Sequence, residues 1–70
     1  MYEELKEVIR DNAYQVCLYK DKIAIWVKGE DARTKILLKA RGMKPHVSKM
    51  RGGIYIIKLE IGDAIKALLG

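Results

Sequence analysis

The chain has 70 residues, half of them apolar and a third charged, and its 14 Lys and Arg against nine Asp and Glu give a net charge of +5. That length allows one domain, residues 1–70, burying roughly 60% of its unfolded surface, with no room for a deep cofactor pocket beside a second domain. A single Cys and a single His exclude a disulfide framework and an ordinary zinc finger, and the longest wholly apolar run, Ile23 to Val27, is far short of the ~20 residues that span a bilayer.

The chain begins Met1-Tyr2-Glu3-Glu4-Leu5, which lacks the charged-then-apolar pattern of a secretion signal. The expectation is a soluble cytoplasmic protein without membrane association. Abundant Lys, Glu and Ile, with one Asn and one Gln, give a thermophile-like balance.

Glu3 to Asn12 reads as a helix. Leu5, Val8 and Ile9 recur at helical spacing, and Glu3, Glu4 and Glu7 suit the positive pole of its dipole. A hairpin follows from Tyr14 to Tyr19 and Ile23 to Lys28, segments rich in β-branched and aromatic residues. With Asp21-Lys22 as its turn, Leu18 opposes Ile25 and Val16 opposes Val27, so Cys17, Tyr19, Ala24 and Trp26 share the other face. Asp-Lys is not a favoured turn pair, and a longer loop is the alternative.

After Gly29, Asp31 is the expected N-cap of a helix over 32–41 that lines up Ala32, Ile36, Leu37 and Ala40, ends at Gly42, and is barred from continuing by Pro45. A second hairpin joins His46–Met50 to Ile54–Ile61 across Arg51-Gly52-Gly53. In its second strand Ile54 and Ile56 point one way, and Ile57, Leu59 and Ile61 the other. Either that strand is central and covered on both faces, or a bulge switches its phase. Asp63 to Leu69 reads as a last short helix that must dock on the core.

The expected fold is α+β in the order α-β-β-α-β-β-α. One four-stranded antiparallel sheet carries the helices mainly on one face. A weak internal repeat runs through it. Val16, Ile23 and Ile25 match Val47, Ile54 and Ile56 at a spacing of 31, and Asp31-Ala32 matches Asp63-Ala64 at 32, as a ββα duplication or chance would give.

Charge is segregated along the chain. Residues 1–31 are net −2, whereas 32–59 hold eight basic residues and no acid. Such a stretch attracts phosphates. Arg33, Lys35, Lys39, Arg41, Lys44, Lys49 and Arg51 are the candidate contacts to a nucleic-acid backbone, DNA or RNA being open. Tyr19 and Trp26, beside Lys20 and Lys28 on the chain, are candidate stacking residues. The alternative places Trp26 under a helix or in a dimer interface, and the basic excess as surface solubility.

Signals for chemistry are weak. Cys17 sits mid-strand with no His near it in sequence, and His46 follows Pro45 at a strand start. The Asp residues fall at turns and helix ends, where capping accounts for them. No acidic pair is placed to hold magnesium, and Arg51-Gly52-Gly53 lacks the spacing of a phosphate loop. The expectation is a binding protein without catalysis, cofactor or metal. A protein-interaction module or homodimer is the second reading.

The element order resembles that of the LAGLIDADG homing endonuclease domain, and Leu5-Lys6-Glu7-Val8-Ile9-Arg10-Asp11-Asn12-Ala13 can be laid over its motif. Leu5, Val8 and Ile9 fit the apolar positions. Lys6 and Glu7 replace small residues, Asn12 stands in place of the metal-binding acid, and Ala13 replaces a glycine. What the resemblance implies is DNA binding on the sheet face by a catalytically silent relative.

Overall fold

A computed structural model describes residues 2–19, 21–60 and 62. Helix α1 (Tyr2–Asn12) runs into strand β1 (Ala13–Tyr19), which turns into β2 (Lys22–Lys28). Helix α2 (Glu30–Lys39) follows, then β3 (His46–Lys49), a 3-10 turn over Arg51–Gly53, and β4 (Ile54–Glu60). The fold is α+β. The four strands form one antiparallel sheet in the order β1-β2-β4-β3, so the central strands are β2 and β4 and the edges are β1 and β3. The expected last helix, 63–69, lies outside the described residues.

Strand periodicity sorts the sheet into two faces. Ile23, Ile25 and Val27 of β2 stand opposite Leu59, Ile57 and Tyr55 of β4, and all six are buried. They face the helices, which contribute Leu5 and Ile9 from α1 and Ile36 and Ala40 from α2, with Met43 closing the cluster. The opposite face carries Ala24 and Trp26 from β2 and Ile54, Ile56 and Lys58 from β4. The apolar character of β4 in both phases thus reflects its central position, and its pairing with both neighbours runs without a bulge.

Three details differ from the sequence reading. The first hairpin is shifted by two residues: Tyr19 pairs with Lys22 and Leu18 with Ile23. An even shift leaves every side chain on its expected face. Helix α2 starts two residues early, with Gly29 (φ 94°) at its N-cap, a conformation that favours glycine. Asp31 sits in the first turn and pairs with Lys35 at 3.3 Å instead of capping.

The internal repeat also resolves differently. Val16 and Val47 hold equivalent edge positions, opposite Ile25 and Ile57. The equivalence is therefore 31 residues for the first strands and 32 for the second. The extra residue lies in the second turn, where three residues separate the bonded pair Met50 and Ile54. The matches of Ile23 with Ile54 and Ile25 with Ile56 fall on opposite faces. With the 32-residue equivalence, Ile25 pairs with its own counterpart Ile57, which places a pseudo-twofold between β2 and β4.

Candidate nucleic-acid interface

The seven expected phosphate-contact residues divide into two sets. The three on α2 are already engaged. The Arg33 guanidinium lies over the Tyr55 ring, 4.9 Å from its centroid, and its Nε is buried without a hydrogen-bond partner. Lys35 pairs with Asp31 one helical turn earlier. Lys39 reaches α1, where its Nζ donates to Glu4 at 2.9 Å. That bond, with the attraction of the ammonium, holds the Glu4 carboxyl below the usual glutamate range. These contacts fasten α2 to the sheet and to α1.

The other four lie beyond the helix. Arg41, Lys44, Lys49 and Arg51 are all exposed, and none has an ion-pair partner among the described residues. They flank or lie on β3, an edge strand of four residues, with His46 exposed between them. Two backbone features shape this margin. Lys44 has a left-handed φ of 53°, uncommon for a residue with a Cβ, and Gly52 and Gly53 (φ 76° and 75°) make the tight turn beyond Arg51. Left-handed strain outside glycine costs about 1–2 kcal/mol and concentrates at functional sites.

The sheet face opposite α1 and α2, on which Ala24 and Ile56 are buried, adjoins this margin. Across it Gln15, Trp26, Ile56 and Ser48 form one row, and Cys17, Ala24, Lys58 and His46 the next. Trp26 is half-buried, and its ring lies 6.5 Å from that of Tyr14 at 45°. Tyr14, not Tyr19, is its described aromatic neighbour. An irregularity between Ala13 and Gln15 turns Tyr14 to the face of Trp26, where strict alternation would have pointed it at the helices. No sequence signal marks that bulge. The strand of Tyr19 is described, but its side chain lies outside the described residues. Trp26 is two strands from β3, about 10 Å at ordinary strand spacing.

Elsewhere the described residues offer little enclosure. A shallow depression of about 180 Å³ lies among Glu3, Lys6, Glu7 and Arg10 on the solvent side of α1. Among the described residues no three His, Cys, Asp or Glu side chains gather as metal ligands, and no helix is long and apolar enough to cross a membrane. Asn12, which the resemblance sets in place of a metal-binding acid, donates its Nδ2–H to the Val8 carbonyl at 2.9 Å and so closes the end of α1. Comparison with protein-family models, curated proteins and solved structures finds no match to this chain.

Proposed function

We propose that the protein binds nucleic acid without catalysing a reaction on it, with the margin formed by β3 and its flanking turns as the phosphate-contacting surface. One observation carries this reading: Arg41, Lys44, Lys49 and Arg51 are exposed, without an ion-pair partner among the described residues, along a stretch with no acid between residues 32 and 59. Cations already held by carboxylates have less to gain from a phosphate, so Lys35 and Lys39 contribute less. On the adjoining sheet face the exposed Tyr14, beside the half-buried Trp26, supplies the ring surface on which a base can stack.

The test is a titration with short duplexes and single strands of DNA and RNA. Four phosphate contacts give log Kobs against log salt a slope of about −3 to −4, the shallower end belonging to single strands. Reversing Lys49 and Arg51 to Glu weakens binding to every sequence, because phosphate contacts carry no base information. Unchanged affinity in that double variant removes the β3 margin from the interface.

A further inference from the structure

The two edges of the sheet are protected very differently. Strand β3 is short, follows Pro45, and carries Lys49, all features that discourage another strand from pairing. Strand β1 is seven residues long, Ala-Tyr-Gln-Val-Cys-Leu-Tyr, with no charge and no proline. Leu18 is 76% exposed and Val16 43%.

Two backbone bonds fix which way this edge points. Met50 N donates to Ile54 O, so residues 54, 56 and 58 of β4 bond to β3, and 55, 57 and 59 bond to β2. Gly29 N donates to Gly53 O in the β2–β4 register, which fits the same alternation. Lys22, Ala24 and Trp26 therefore bond to Tyr19, Cys17 and Gln15. Val16 and Leu18 are left with their N–H and C=O groups directed out of the sheet. The two most apolar exposed side chains of β1 belong to the two residues whose main chain has no strand partner among the described residues.

We propose that β1 pairs with β1 of a second copy of this chain, antiparallel about a twofold axis at Cys17. In that register Val16 and Leu18 of one copy exchange main-chain bonds with Leu18 and Val16 of the other, and their side chains meet on the helix side. An axis one residue earlier sets Leu18 against the bulged Tyr14, and one residue later sets Val16 against position 20, a lysine. The axis at Cys17 keeps Val16 and Leu18 clear of both, which meet each other only at the ends of the ladder. The uncharged edge also lets two copies of a +5 chain meet without like charges in contact. The result is a continuous eight-stranded sheet, and it does not depend on the nucleic-acid reading.

The two Cys17 residues face each other in this arrangement as a non-hydrogen-bonded pair, with Cα atoms about 4.5 Å apart, which is within disulfide reach. Sedimentation of the full chain over a concentration series, with diamide oxidation at each step, tests this. The expected result is a monomer–dimer equilibrium and a disulfide dimer through Cys17, two thiols giving up their hydrogens to diamide. Leu18→Lys shifts the equilibrium toward monomer by about tenfold or more, since it brings like charges together. Its thermal unfolding at low concentration stays unchanged, because Leu18 is exposed in the single chain. A dimer that ignores Leu18→Lys and does not cross-link overturns the proposal. So does a monomer throughout the series. Amide exchange at Val16 and Leu18 identifies the monomer's alternative: protection that is independent of concentration assigns the cover of this edge to the chain itself.

Discussion

Lys44 is the residue at which backbone and charge meet. Its left-handed φ costs energy that glycine would not spend, and it stands among the exposed cations beside β3 that have no ion-pair partner among the described residues. Lys44→Gly relieves that strain, while glycine's greater freedom in the unfolded chain offsets part of the gain. The expected outcome is unchanged stability or a gain of up to about 1 kcal/mol, read by urea unfolding, together with weaker nucleic-acid binding. Loss of stability without loss of binding contradicts this role. Glu4 gives a pH prediction. Its carboxyl titrates below the ordinary glutamate range because Lys39 hydrogen-bonds and attracts it. A lowered folded-state value stabilises above the unfolded value, and that contribution is lost as the pH falls through the folded value. Melting temperature should therefore fall less between pH 5 and pH 3, about the span of carboxylate titration, in Glu4→Gln than in the wild type. Equal falls in the two proteins refute it. Because the pair is exposed, the difference is small.

At the scale of elements, the sheet is held by the central pair of strands. Ile57 is fully buried and paired with both Ile25 and Val47. Ile57→Ala should cost about 2–5 kcal/mol, a large part of a small domain's stability, whereas Leu38→Ala, at a position 57% exposed on α2, should stay within about 0.5 kcal/mol. Urea midpoints of the two variants compare them, and similar values would misplace the core. The same elements show what the sequence makes legible. Faces were legible, because the period of two in Ile23-Ile25-Val27 survives any even slip of register. Register itself was not: the expected pairing was two residues out, since Asp-Lys carries no turn geometry. The phase of β4 stayed open because Ile54 to Leu59 is apolar on both sides. Only its neighbours, β2 and β3, decide between a central strand and a bulge. The real bulge, at Ala13–Gln15, has no marker in Ala-Tyr-Gln, and with it went the pairing of Tyr14 with Trp26.

At the scale of the molecule, charge segregated along the sequence is sorted again by the contacts the fold makes. The acid-free stretch was legible as composition, but composition cannot show which cations the fold consumes. Lys39 meets Glu4 across 35 positions, and Arg33 meets Tyr55 across 22. Both are tertiary contacts that no local pattern encodes. Without ion-pair partners among the described residues are the four cations of the β3 margin, opposite the uncharged edge at β1. The arrangement separates a surface suited to polyanions from one suited to self-association.

The most direct test compares two charge reversals in one titration of labelled nucleic acid, with Trp26 fluorescence recorded alongside across a salt series. The account predicts that Lys49→Glu with Arg51→Glu lowers affinity strongly and flattens the salt slope by about 2. Lys35→Glu with Lys39→Glu, which attacks cations already paired, should change affinity much less. Equal losses from the two pairs, or no salt-dependent binding by the wild type, would contradict the claim that the unpaired cations beside β3 form the interface.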